Sequence, residues 1–170
     1  MNRDRDPAGR PRNARPRDAL GRPLDRDAPQ RGTGAGQGRI PDDLVINGTD
    51  AAELADRLLR EGRPFHAHEV LEAAWKSGPP GERDLWQGLA QIAVGLTHAR
   101  RGNARGAAAL LRRGAGRVRA ARAGPAAGSR PYGMDLPAVL AASDDLAARI
   151  ERDGLDGLPP AGLSVRLLRT

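Results

Sequence analysis

The sequence predicts an all-α fold: a compact bundle of about five helices, built from antiparallel helical hairpins, behind a disordered N-terminal tail. Three observations carry this. After residue 47, apolar side chains recur at three- and four-residue spacing, the period of one helix face. Glycine and proline punctuate those stretches where helices stop and start. No stretch makes a convincing strand.

Residues 1–39 hold only two leucines, Leu20 and Leu24, with ten arginines and five aspartates among repeated proline and glycine. Such a stretch cannot bury enough apolar surface to offset the entropy of ordering it. The chain therefore divides into a tail (1–39), a helical bundle domain (40–155) and an irregular C-terminal tail (156–170). The net charge is +7. Most of it belongs to the first 39 residues, and the rest of the chain is nearly balanced. There is no cysteine, which excludes a disulfide framework or a thiolate metal site. No apolar segment has the length of a membrane span, and the N-terminus lacks the apolar run of a signal peptide. The expectation is a cytoplasmic protein with no membrane partner.

The first helix is expected from Asp50, with Glu53 three residues on in a capping-box arrangement, to a stop at Gly62. Leu54, Leu58 and Leu59 form its stripe. Pro64 suits the first position of a second helix, which runs to about Lys76 before Ser77-Gly78-Pro79-Pro80-Gly81. The third starts near Glu82, with acids in its first turn, and runs to about Arg101. Its apolar residues lie on more than one face, as in a buried central helix. The fourth spans about Asn103 to Arg122. A fifth is capped by Asp135, has Pro137 in its first turn and ends at Gly154. Beyond it, Leu155, Leu158, Leu163, Leu167 and Leu168 could dock part of the last segment. Gly62 to Glu72 and Gly102 to Arg112 share a skeleton at an offset of 40 residues, which suggests two related hairpins.

The segment richest in chemistry is Phe65 to Lys76. His68 and Glu72 are four apart and share a helix face, Glu69 lies beside them, and Phe65 and Trp75 flank the stripe. His98, Gln87 and Gln91 fall on the third helix. Imidazole and carboxylates suit zinc, iron or manganese, so His68, Glu72 and His98 are the candidate metal ligands. His68, Glu69, Glu72 and His98 are the candidate catalytic residues of a metal-dependent hydrolase. The second histidine that makes the two-His, one-Glu metalloprotease motif specific is missing. The favoured reading is a polar network between helices made by His68, Glu69, Glu72, Trp75, Gln87, Gln91, His98 and Asn103. No cofactor is expected. A simpler reading leaves Glu69, Lys76 and His66 on a solvated face.

From Gln87 to Ala123 there is no acidic residue but eight arginines. On the fourth helix Arg105, Arg112, Arg113, Arg117 and Arg119 fall on one half. Such a face could meet nucleic-acid phosphates, as could the basic tail, but the chain has no interleaved aromatics for stacking bases. The blander reading has acids of the first and fifth helices partly neutralising it.

Three stretches carry a family resemblance: His68-Glu69-x-x-Glu72-x-x-Trp75, then Trp86 to His98, then Arg101 to Leu111. Together they resemble the domain of unknown function 309 family over about residues 50–120. The resemblance implies a compact helical bundle and no particular activity, substrate or cofactor. It marks His68, Glu69, Glu72, Gln87, Gln91, His98 and Asn103 as the characteristic polar positions. The reading that follows is a non-catalytic interaction or scaffold module with a protein partner. A metal-dependent hydrolase and non-specific nucleic-acid association through the tail and fourth helix are the alternatives.

Overall fold

The computed structural model describes Asp18, Gly21, Arg22 and residues 40–123 and 130–169. Five helices follow one another: α1 Gly48–Arg60, α2 Pro64–Ser77, α3 Arg83–Arg100, α4 Ala104–Arg122 and α5 Leu136–Asp153. Each packs against the next in sequence, and the α3–α4 contact is the most extensive. Among the described residues there is no strand, only an isolated bridge between Met134 and Leu168. None of their helices is long and apolar enough to cross a membrane. Most of the expected tail lies outside the described residues.

The helix starts and stops follow from local chemistry. The 40-residue offset expected from sequence reappears as a duplicated helix stop. Gly62 and Gly102 both adopt left-handed backbone, at φ +73° and +81°. Gly62 N–H donates to Leu59 O and Arg63 N–H to Leu58 O, and Gly102 and Asn103 repeat the bonds to Ala99 O and His98 O. This is the glycine-closed Schellman turn. In both copies the next helix starts two residues after the glycine.

One cap differs from expectation. The N-cap of α1 is Asn47, not Asp50. Its Oδ1 accepts the Asp50 N–H at 2.9 Å, and its Nδ2 donates to the Asp50 carboxylate at 2.7 Å. Asparagine caps as well as aspartate does, so the helix gains a turn. Glu82 likewise falls in a short 3-10 turn, Pro80–Glu82, just before α3. Asp135 caps α5 as expected, accepting the Ala138 N–H at 3.1 Å.

Leu85, Trp86, Leu89, Ile92, Ala93 and Leu96 of α3 are buried, which makes it the central helix. Its contact with α4 runs through glycine. A Cβ on Gly88 would lie 2.7 Å from Val118 Cγ2, and one on Gly114 would lie 2.7 Å from Gly88 O. The two backbones meet there directly.

The described residues after α5 hold only a 3-10 turn, Pro160–Gly162, and they dock on the bundle. Leu163, Val165 and Leu167 are buried in the core. Asp56 of α1, itself 1% exposed, receives the Leu167 N–H at 2.8 Å and the Leu168 N–H at 3.2 Å. Arg60 and Arg166 bond the same carboxylate at 3.1 and 3.4 Å.

Candidate functional site

α2 presents the His68 side of the helix to an open groove of about 550 Å³, whose far wall is the segment from Ile40 to Val45. His68 Nε2 lies 3.5 Å from Glu72 Oε2, and Lys76 Nζ donates to Glu72 Oε1 at 2.8 Å. The three form a ladder at four-residue spacing, as helix geometry dictates. Phe65 stands over the His68 ring, centroids 6.0 Å apart. His68 Nδ1 is buried with no hydrogen-bond partner. Burial pushes the His68 midpoint below its ordinary 6.5; Glu72 opposes that shift and Lys76 adds to it. The imidazole is therefore neutral at neutral pH, and the formal charges along the groove are Asp42, Asp43, Glu69 and Glu72 against Lys76. At the same wall Val45 is 83% exposed.

The other expected site residues go elsewhere. His98 Nδ1 meets Asn103 Nδ2 at 2.8 Å at the α3–α4 turn. Asn103 Oδ1 accepts the Gly106 N–H at 2.9 Å, so the amide nitrogen faces the ring and Nδ1 acts as the acceptor. Gly106 leaves room for this pair, since a Cβ would come 2.5 Å from Asn103 Nδ2. Gln87 Oε1 accepts from the Arg117 guanidinium across α3 and α4. Gln91 Oε1 is buried without a partner. Trp75 is half-buried against the core. The single network expected from sequence is thus split into a ladder on α2, a cap at the α3–α4 turn and one bond between α3 and α4. The metal set His68, Glu72 and His98 is not assembled. Among the described residues, no group of three or more His, Asp or Glu could hold a metal ion.

His66, expected on a solvated face, is 7% exposed. Burial first, and then Arg63, hold its midpoint below 6.5, while Asp18 pulls it back up. The cause is its place at the start of α2, where the chain turns inward from the Gly62 stop.

Sequence reading missed two polar centres. Asp56 was legible as an anomaly, because it shares the buried stripe of α1 with Ala52 and Leu59. The second centre is Glu82. Its carboxylate accepts from Tyr132 Oη at 2.6 Å and from Trp86 Nε1 at 3.1 Å. The Trp86 and Tyr132 rings lie 5.4 Å apart. The bond to Glu82, then burial and the Glu82 charge, push the Tyr132 phenol up to about 12. Gly48 makes room for its ring.

The arginine face of α4 is partly neutralised, chiefly by α5 and not by α1. Arg112 pairs with Glu151 at 2.8 Å and Arg119 with Asp144 at 2.6 Å. Arg117 lies 3.8 Å from Asp84 of α3. Arg105 and Arg113 are exposed.

With this geometry in place the chain can be compared with known proteins. Over 48 residues it is 48% identical to "Uncharacterized protein YpuF" of Bacillus subtilis (strain 168). The match covers 28% of each chain, so it spans little more than a quarter of that relative. No solved structure matches. The family model described as Domain of unknown function (DUF309) matches residues 53–110, which run from α1 through the α2 ladder and α3 into α4. The resemblance read from the His-Glu-x-x-Glu-x-x-Trp segment and the two stretches after it is therefore shown as a match: residues 53–110 of this chain are similar to the DUF309 model.

Proposed function

We propose that the chain is a cytoplasmic, non-catalytic binding module, and that the α2 groove is its working surface, taking a basic segment of a protein partner. The carrying observation is the groove's lining: among the described residues it brings Asp42, Asp43, Glu69 and Glu72 together with one cation, Lys76, and the exposed Val45. Val45, exposed at the rim, offers an apolar anchor. A basic segment with intervening apolar residues fits both features, with charge setting the sign of the ligand and apolar contact adding affinity. The ladder itself favours binding over catalysis, because both oxygens of Glu72 are engaged by His68 and Lys76. A chain without cysteine suits a reducing compartment.

The test is calorimetric titration of the full chain with two short peptides, one alternating arginine with leucine and one alternating glutamate with leucine. The first is expected to bind and the second not. Val45→Ser and Asp43→Asn should each weaken the first by roughly threefold to tenfold, and added salt should weaken it further. Equal binding of both peptides, or of neither, overturns the reading. Retention of an RNA oligonucleotide with neither peptide bound would move the working surface to Arg105 and Arg113 on α4.

A further inference from the structure

The start of α1, the end of α2 and the 3-10 turn Pro131–Gly133 before α5 border an open cavity of about 490 Å³. That volume lies within the range of small-molecule sites. Ile46, Ala74, Pro79 and the rings of Trp86 and Tyr132 supply its apolar lining, and Glu82 is the one carboxylate among the described residues that line it. Asn47 and Ser77 also line it, but both are engaged, Asn47 with Asp50 and Ser77 with the Ile46 and Ala73 carbonyls. The start of one helix and the end of another carry opposite partial charges that offset each other. The carboxylate is left to set the sign of a ligand.

Glu82 stands at the N-cap of α3, where an acid ordinarily bonds the helix's own N–H groups, yet its side chain makes no capping bond. It accepts instead from Trp86 Nε1 and Tyr132 Oη. Both donors are neutral, and among the described residues no arginine or lysine pairs with this half-buried acid. Each carboxylate oxygen can accept more than one bond, so acceptor capacity remains. Tyr132 is held beside it at a backbone cost. It is the only non-glycine among the described residues with left-handed backbone, at φ +54°. Such strain persists where the surroundings fix a residue's place, and it gathers at ligand sites. Gly48 completes the arrangement, because a Cβ there would come 2.4 Å from two Tyr132 ring carbons.

We propose that this cavity binds a small organic cation, an amine carried on an apolar body. Glu82 is its counter-charge, and Trp86 and Tyr132 wall its apolar part. The site is separate from the α2 groove, with which it shares Ser77 alone among the described residues. It stands whether or not that groove binds a peptide.

The test follows the indole N–H resonances of the full chain by NMR during titration with phenethylamine, phenethyl alcohol or hydrocinnamate. The amine should move the Trp86 resonance to saturation and leave that of Trp75 in place. The alcohol and the acid should bind roughly tenfold more weakly or less. Glu82→Gln should lower the amine's affinity by roughly tenfold, with the helical circular dichroism unchanged. Asp84→Asn, which removes an exposed acid two residues on, should leave that affinity as it is. A Trp86 resonance that none of the three moves, an amine that binds no tighter than the alcohol, or equal losses in Glu82→Gln and Asp84→Asn overturns the site. If Glu82→Gln does not fold, the wild-type contrast between amine and alcohol at Trp86 decides alone.

Discussion

Asp56 is a carboxylate on the buried face of α1, with its acceptors occupied by two backbone amides and two arginines. Removing it leaves the Leu167 and Leu168 N–H groups without an acceptor, and an unmet buried donor loses its full desolvation energy. Asp56→Ala should destabilise the chain by about 3 kcal/mol, and Asp56→Asn, which keeps an oxygen in place, by about half of that. Urea unfolding reads both, and an alanine variant as stable as wild type would contradict this role. An acid on an apolar stripe was visible in the sequence, and so was Arg60 four residues on, but the backbone donors lie 111 and 112 residues away, and no local spacing points to them. The same limit governed the histidines. The His68–Glu72 pair was legible because four-residue spacing dictates it. His98 was assigned across helices, whereas it bonds Asn103 five residues on, a contact set by the geometry of the glycine turn.

At the scale of elements the glycines divide by what faces them. A Cβ at Gly114 meets Gly88 O at 2.7 Å and Ile92 N at 2.9 Å, backbone atoms that move only if α3 and α4 part. Gly116, two residues on in the same helix, has nothing within 4 Å. Alanine gains roughly 1 kcal/mol of helix propensity at either site. At Gly114 overpacking exceeds that gain, for a net loss of about 1–2 kcal/mol. Gly116→Ala should be stabilising by about 1 kcal/mol. Thermal unfolding of the two variants should give shifts of opposite sign, and shifts of the same sign would exclude backbone contact at Gly114. Helix boundaries were legible to within a few residues because proline, glycine and capping side chains act locally. The start of α1 was misplaced because Asn47 and Asp50 are both capping residues. Which glycines sit between helices was not legible, since Gly114 and Gly116 are alike until α3 is placed.

Across the whole molecule, three of the shifted groups bound the pH range nearest neutrality: His66, His68 and Tyr132. His66 and His68 have folded midpoints below 6.5, so the unfolded chain binds their protons more readily. Their contribution is complete above pH 6.5 and is lost as pH falls below it. Tyr132 is shifted the other way, from 10.0 to about 12. Its contribution is complete below pH 10 and is lost as pH rises towards 12. Stability should therefore plateau between those limits. A His66→Gln, His68→Gln double variant should flatten the acid side and Tyr132→Phe the alkaline side, as read by urea unfolding across pH. The bond from Leu167 to Asp56 has a different global consequence. It closes a loop spanning nearly the whole domain, and contacts so distant in sequence form late. On the ribosome α1 emerges first, yet its carboxylate has only Arg60 of its own helix as a partner until Arg166, Leu167 and Leu168 are made. The nascent bundle thus carries a half-satisfied internal acid through most of its own translation, and Asp56 Oδ1 is met only when the last residues arrive.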